Sequence, residues 1–175
     1  MLLRVTKGAI RDGAIRDAVV RAQALVAGGD AAELAFTFVG AVARPTPLAS
    51  GELRHQLGLK LRAANTCNVI YVMWRVAGGQ LAVSVKLNPG ARTHTDCGAR
   101  GYADLAPALA RAVPALALGA RHVLAARIEG DALVATADGD EVWRGGLPAA
   151  AAALVGPIGL RTDNVMLDAV ELAAR

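Results

Sequence analysis

The residues best suited to hold a ligand lie in one alternating segment, residues 52–62. Leucines alternate there with polar residues, and four polar side chains fall on one side: Arg54, Gln56, Lys60 and Arg62. Since successive side chains of a strand point to opposite faces, the segment predicts a half-buried strand with a polar outer face. Guanidinium, ammonium and amide donors bind carboxylates and hydroxyls. A saccharide groove is one interpretation of this face, and a solvated sheet surface is the other.

Two later segments could extend the same face. Lys86 and Asn88 belong to the alternating segment 81–88, whereas Tyr71 and Trp74 lie in the apolar run 69–74. Such a run suits a central strand buried on both faces, so the side taken by its aromatic residues stays open. If the strands pair in sequence order, polar donors would share one sheet with a ring that stacks on a sugar. The predicted ligand-binding set is Arg54, Gln56, Lys60, Arg62, Tyr71, Trp74, Lys86 and Asn88.

The charges of this set fit an acidic saccharide, whereas a lectin for neutral sugars would depend on Trp74 or Tyr71 instead. Its basic members would lie on strands about 5 Å apart, and Glu52 is the obvious acidic neighbour in sequence. An anionic ligand would relieve that repulsion. The formal net charge of +4 agrees with such a ligand. Nucleic acid is not an expected partner, because the basic residues are scattered and only 3% of residues are aromatic.

Enzymatic chemistry has weaker support in the sequence. A glycoside hydrolase needs two opposed carboxylates, and the strand-borne candidates are Glu52 and Glu129. Neither Ser50 nor Ser84 lies in a nucleophile elbow, and the Gly78-Gly79 pair lacks the spacing and lysine of a phosphate loop. No catalytic residue, cofactor or metal site is therefore predicted. A polysaccharide lyase or glycoside hydrolase is the alternative function, and a structural or protein-interaction module is a third.

Two cysteines, Cys67 and Cys97, allow one bridge. Neither belongs to a zinc-ligand pattern, and His94 near Cys97 is a single histidine. Two buried free thiols and one disulfide both remain open. The disulfide requires a Cα separation below about 7 Å and would pin the polar loop 94–98.

The remaining pattern predicts an all-β protein of one domain, residues 1–175. Residues 91–120 show no convincing strand and are predicted to be mostly loop, and residues 149–155 are predicted to form a helical turn.

No segment has the length and apolarity of a membrane span, and the N-terminus lacks a signal-peptide core. The location would be cytoplasmic if Met1 is the true start, and secreted or periplasmic if a leader was removed. The oligomeric state is left open. The predicted core between two sheets is Leu34, Phe36, Phe38, Leu57, Leu59, Leu61, Val83, Val85, Ile158, Leu160 and Leu167.

The C-terminal part carries a family resemblance. An Asp138-Gly139 hairpin, Trp143, the strand Gly156-Pro157-Ile158-Gly159-Leu160-Arg161 and a closing strand at 166–170 follow one another. This order resembles the last strands of concanavalin-A-like jelly-roll domains, as in laminin G modules and lectin-like putative sugar hydrolases. The resemblance implies a jelly-roll β-sandwich of two antiparallel sheets with few short helices, and a lectin-like, non-enzymatic carbohydrate-binding role. It also implies that Arg161 and Asp163 help to hold the end of the sandwich, and contact with a ligand is the alternative role for these two residues.

A second resemblance bears on the enzyme alternative. Gly51-Glu52-Leu53-Arg54 resembles a strand of alginate-lyase-type jelly rolls, in which the arginine binds a uronate carboxylate. In that family a Gln-Ile-His strand and a C-terminal tyrosine complete the elimination. Both are missing here, because Tyr71 and Tyr102 are the only tyrosines. The departure favours binding over cleavage.

Overall fold

The computed structural model describes residues 1–26 and 28–175, which form two antiparallel sheets. The strands are β1 (Leu3–Lys7), β2 (Ile10–Arg11), β3 (Ala14–Ile15), β4 (Val19–Ala24), β5 (Ala31–Ala41), β6 (Gln56–Leu61), β7 (Val69–Arg75), β8 (Ala82–Lys86), β9 (Tyr102–Asp104), β10 (Leu109–Ala110), β11 (Arg121–Glu129), β12 (Ala132–Ala137), β13 (Asp140–Gly146), β14 (Gly159–Asp163) and β15 (Val165–Ala174). The helices are α1 (His94–Cys97) and α2 (Ala149–Ala152). Among the described residues, no helix is long and apolar enough to cross a membrane.

Strands that are far apart in sequence lie side by side. One sheet has seven strands in the order β1-β4-β14-β6-β7-β8-β9, and the other has eight in the order β10-β13-β12-β11-β5-β15-β3-β2. β14 therefore pairs with both β4 and β6, although more than ninety residues separate it from β6. The predicted all-β sandwich of two antiparallel sheets is confirmed.

One apolar core lies between the sheets. All eleven residues predicted for it are buried, and all belong to a single packed cluster. In β6 the leucines at 57, 59 and 61 face this core, and in β7 the residues at 70, 72 and 74 do the same. The apolar run of β7 thus alternates in space, although both of its faces are buried. Burial of this apolar surface is the main stabilising contribution to the sandwich.

One local prediction is wrong. The strand predicted over 52–62 is only β6, and all six of its residues are buried, so its outer face is not a solvated surface. The segment 91–120 is mostly loop, as predicted, and it also holds α1, β9 and β10. β9 and β10 are three- and two-residue strands at sheet edges, too short to show alternation in sequence. The helical turn predicted at 149–155 is present as α2.

Candidate functional site

The outer surface of the seven-stranded sheet gathers most of the buried polar side chains. We call it the cationic face and define it by Arg21, Gln56, Lys60, Tyr71, Lys86, Tyr102, Arg161 and Asp163. The register explains how they meet. Gln56 pairs with Asp163 across β6 and β14, Arg21 pairs with Arg161 across β4 and β14, and Lys60 pairs with Tyr71 across β6 and β7.

Asp163 is the acidic centre of this face and is only 1% exposed. Its carboxylate accepts hydrogen bonds from Arg21 Nη2 at 2.6 Å, Gln56 Nε2 at 2.8 Å and Arg161 Nε at 2.9 Å. Burial alone would raise the pKa of Asp163. The two arginines and the donated hydrogen bonds outweigh burial and lower that pKa, so the group is an ionised carboxylate.

Lys60 lies beside this cluster without a partner of its own. It is 7% exposed, and within the described part of the chain its ammonium makes neither a hydrogen bond nor an ion pair. Burial, together with repulsion from Arg21 and Arg161, lowers the pKa of Lys60 to about 7. Its cross-strand neighbour on β14 is Gly159, which places no side chain over it. A buried amine of this kind is poised to receive an anionic group.

Two tyrosine rings continue the face toward the sheet edge. The rings of Tyr71 and Tyr102 stack with centroids 6.0 Å apart. Arg161 lies over the Tyr71 ring at 5.1 Å, and Lys86 lies over the Tyr102 ring at 5.1 Å. Tyr102 is 46% exposed, so its ring remains accessible to a flat apolar surface. Together the rings and cations combine a stacking platform with charged donors.

Further polar atoms near β6 are buried and unsatisfied. Gln56 Oε1 has no hydrogen-bond partner, and neither has Arg54 Nε. Arg54 forms an ion pair with Glu52 at 2.6 Å. The hydrogen bond in this pair raises the pKa of Arg54. The charges of Arg161 and Asp104 also act on the Arg54 guanidinium, which places it within electrostatic reach of the face.

Lys86 and Asn88 organise the rim of the face. Lys86 Nζ donates to the carbonyl oxygens of Gly98 at 2.6 Å and Thr66 at 3.3 Å. Asn88 Nδ2 donates to the carbonyl oxygens of Arg100 and Cys67. Their polar atoms hold the 91–101 segment and are already engaged by backbone.

A disulfide fixes the same rim. Cys67 and Cys97 are bonded, with their Cα atoms 5.9 Å apart. The bridge ties the turn before β7 to α1, whose first turn is closed by Thr93 and Asp96 in a capping box. Of the two alternatives left open by the sequence, the structure contains the bridge. The polar loop 94–98 is thereby pinned next to Lys86 and Tyr102.

Two residues of the predicted ligand-binding set lie elsewhere. Trp74 is 0% exposed in the inter-sheet core, where its Nε1 donates to the Pro114 carbonyl oxygen, so its inclusion was wrong. Arg62 follows the end of β6 with a left-handed φ of 45°, which turns it away from the face. It pairs with Asp30 at 2.6 Å and donates to the Ala152 carbonyl oxygen, so it is also excluded.

The centre of the face is only partly indicated by the sequence. Nothing in the local pattern singles out Arg21, and for Arg161 and Asp163 the resemblance favours a role at the end of the sandwich over contact with a ligand. The signal was present as alternation, because β4 interleaves Arg21 and Gln23 with core residues and β14 does the same with Arg161 and Asp163. The local pattern does not reveal the strand order, which places β14 between β4 and β6. No group of residues in the described chain is arranged to hold a metal ion.

The comparisons with known proteins concern the fold. No protein-family model matches the sequence, and no curated protein does. The structure is similar to the carbohydrate-binding module CBM66 from Bacillus subtilis, with a TM-score of 0.65 and 13% identity over 97% of this chain and 94% of that one. It is also similar to a tetrameric galectin from the ball sponge Cinachyrella sp., with a TM-score of 0.52 and 12% identity over 89% of this chain and 98% of that one.

The fold is a concanavalin-A-like jelly roll. The resemblance seen in the C-terminal strands is therefore confirmed at the level of architecture. At identities of 12% and 13% these similarities establish the jelly-roll fold and do not assign residue roles.

Proposed function

We propose that this jelly roll is a non-enzymatic saccharide-binding module, that its ligand lies on the cationic face, and that the ligand carries acidic groups. The observation that carries the proposal is the imbalance of charge around Asp163. Three basic side chains, Arg21, Lys60 and Arg161, surround this one buried carboxylate, and Lys60 has no partner in the described chain.

The physical argument starts from desolvation. A buried cation without a partner is costly, and ionisable groups with strongly shifted pKa values cluster at functional sites. Gln56 Oε1 and Arg54 Nε, which are enclosed and have no hydrogen-bond partner, add to the uncompensated polar groups of the same strand region. The accessible Tyr102 ring offers a surface for a pyranose face.

The fold adds support of a different kind. One of the two similar structures is a carbohydrate-binding module and the other is a galectin. Neither name specifies an acidic sugar, so the acidic character of the ligand rests on the charges of this chain alone. The proposed site residues are Arg21, Arg54, Gln56, Lys60, Tyr71, Tyr102 and Arg161, with Lys86 and Asn88 supporting the rim.

The test compares an oligogalacturonate with a neutral galactan oligosaccharide by titration calorimetry at low and high salt. We expect the uronate to bind and to weaken as salt is raised, since salt screens partly exposed charges. The Arg54→Ala variant should bind the uronate more weakly. A matched control is Arg127→Ala on the other sheet, where the guanidinium already pairs with Glu129.

Each remaining outcome has a definite meaning. If neither sugar binds at millimolar concentration, the saccharide-binding proposal is wrong. If the neutral sugar binds equally well and without salt dependence, the acidic part of the proposal is wrong. If the uronate is cleaved and a new ultraviolet absorbance from an unsaturated end appears, the lyase alternative replaces binding.

A further inference from the structure

Lys60 differs from the other basic residues of the cationic face, because its ammonium forms no hydrogen bond and no ion pair within the described part of the chain. Arg21 and Arg161 are paired with Asp163, and Lys86 is held by two carbonyl oxygens. Lys60 is more than nine-tenths buried, yet its amine is not among the fully enclosed unsatisfied atoms, so the tip of the side chain reaches solvent. Lys60 is therefore an accessible amine in a site whose other cations already have a carboxylate or carbonyl partner.

The groups that face Lys60 come from every neighbouring strand. β4 contributes Arg21, and β14 contributes Arg161 and Asp163. β7 contributes Tyr71 directly opposite, and the same cross-strand row continues to Ser84 on β8 and Asp104 on β9. Arg4 on β1 pairs with Gln23 at the far end of that row.

Among these neighbours Lys60 is the group poised to change charge near neutral pH. Arginine guanidinium groups stay charged. Asp163 has a lowered pKa and stays ionised, whereas burial raises the pKa of Tyr71 and keeps that phenol neutral. The pKa of Lys60 lies at about 7, so above that pH its amine is mostly uncharged in the free protein.

We propose that Lys60 is the specificity-determining residue of the cationic face: it receives the acidic group of the saccharide beside Arg21 and Arg161 and takes up one proton from solvent as it does so. The inference rests on the proposed function and adds a regulation that saccharide binding alone does not require. No covalent bond forms or breaks in this step. The transferred proton comes from water or buffer and resides on Nζ while the ligand is bound.

The direction of the effect follows from linkage. An anion beside the amine favours the ammonium form and offsets the repulsion from the two arginines, so binding raises the affinity of Lys60 for its proton. Binding of an acidic sugar must then tighten as pH falls toward neutrality and level off once the free amine is already charged. A neutral sugar supplies no anion and gains nothing from the proton. The difference in affinity between acidic and neutral sugars is therefore greatest in the pH range where Lys60 becomes protonated on binding.

The experiment measures proton uptake directly. Oligogalacturonate is titrated into the protein at pH 8 in two buffers of different ionisation enthalpy, and the difference in heat gives the number of protons bound per ligand. We expect close to one proton for wild type. The association constant should fall about tenfold per pH unit between pH 8 and 9 and become flat below about pH 6.5.

Variants separate Lys60 from other titrating groups. Lys60→Arg keeps a permanent charge and should abolish both the proton uptake and the pH dependence. Lys60→Met should lose most of the affinity for the uronate together with the uptake, and thermal unfolding verifies that it is folded. His55→Gln is the matched control, because it removes an imidazole immediately before β6 and leaves Lys60 in place. It should retain the uptake and the slope.

The outcomes distinguish this inference from the function on which it rests. If oligogalacturonate binds wild type with no proton uptake and a flat pH profile, the role of Lys60 is wrong and the saccharide-binding proposal stands. If Lys60→Met retains the uptake, another group carries it and the inference is likewise wrong. If no saccharide binds at any pH between 6 and 9, both proposals are overturned.

Discussion

The two outer faces of the sandwich use the same residue types in opposite ways. On the eight-stranded sheet, arginines and glutamates are exposed and paired: Arg127 with Glu129 at 2.6 Å, Arg144 with Glu141 at 2.9 Å and Arg121 with Glu171 at 3.4 Å. On the cationic face of the seven-stranded sheet, Lys60, Lys86 and Arg161 are buried and Arg21 is half-buried. Three of these cations surround one carboxylate, and Lys60 is unpaired in the described chain.

The difference separates surface charge from a candidate site. Exposed pairs contribute little energy and keep a sheet soluble without any ligand. Buried, unbalanced charge reduces stability and is retained where function needs it. The net charge of +4 is a property of the whole chain. The arrangement of charge on the two faces is what distinguishes the cationic face as the proposed site.

The largest expected effect comes from removing the central carboxylate. Asp163→Asn leaves Arg21 and Arg161 buried without an anion, so the free energy of unfolding should fall by about 4 kcal/mol. Urea denaturation at pH 7 measures this. Since the folded-state pKa of Asp163 is lowered, its contribution is present above pH 4 and is lost as the pH falls further. A loss below about 1 kcal/mol would show that the two faces are equivalent.

The next effect concerns the tethered rim, which has no counterpart in the described part of the eight-stranded sheet. Cys67 and Cys97 are 30 residues apart in the sequence, so replacing both by serine opens the loop that their disulfide closes. The free energy of unfolding should fall by about 3 kcal/mol. Hydrogen exchange should accelerate in 91–101, which this bridge and Lys86 hold, while amides of β11 and β12 keep their relative protection. Uniform acceleration across both sheets would contradict this.

A smaller effect, of opposite sign, is expected at Lys60. Lys60→Met removes an unpaired buried cation and keeps the side-chain volume, so the unfolding free energy should rise by about 1–2 kcal/mol at pH 6. The pKa of Lys60 falls from 10.5 to about 7 on folding. The cost of charging it in the folded state is therefore complete below pH 7 and disappears toward pH 10. Thermal unfolding should show the variant's advantage shrinking over that interval, and a constant advantage would point to packing alone.

The smallest effect is expected on the paired face. Glu129→Gln removes a carboxylate shared by Arg127 and Arg144, both of which remain solvent-accessible. The unfolding free energy should change by less than about 1 kcal/mol, and the change should vanish in high salt. Uronate binding should be unaffected. A change as large as that of Asp163→Asn would remove the contrast between the faces.

Local alternation was sufficient to locate much of this architecture. It placed Gln56 and Lys60 on the side of β6 opposite the leucines, and Lys86 on the corresponding side of β8. It predicted the strands whose apolar side chains fill the core, since the period of two survives in any antiparallel sheet. The polar residues so placed are three of the eight residues that define the cationic face, whereas the sequence pattern leaves the side of Tyr71 open.

The rest depended on contacts that are remote in sequence. Arg161 and Asp163 join Lys60 only because β14 inserts beside β6, and no local pattern encodes that crossover. Trp74 was ambiguous because both faces of β7 are buried, so composition alone could not assign its side. Arg62 continued the alternation of β6 in sequence, but its left-handed backbone ended the strand one residue earlier.

The burial of the aromatic residues decides which optical signal can follow which event. Trp74 packs edge-on against Phe36 at 6.2 Å, and Trp143 lies in the same core, so indole emission reports whether the sandwich is intact. The cationic face contains tyrosines and no tryptophan among its defining residues. A fluorescence titration excited at the indole band should therefore stay silent on sugar addition, whereas tyrosine absorbance, through Tyr71 and Tyr102, should carry the binding signal.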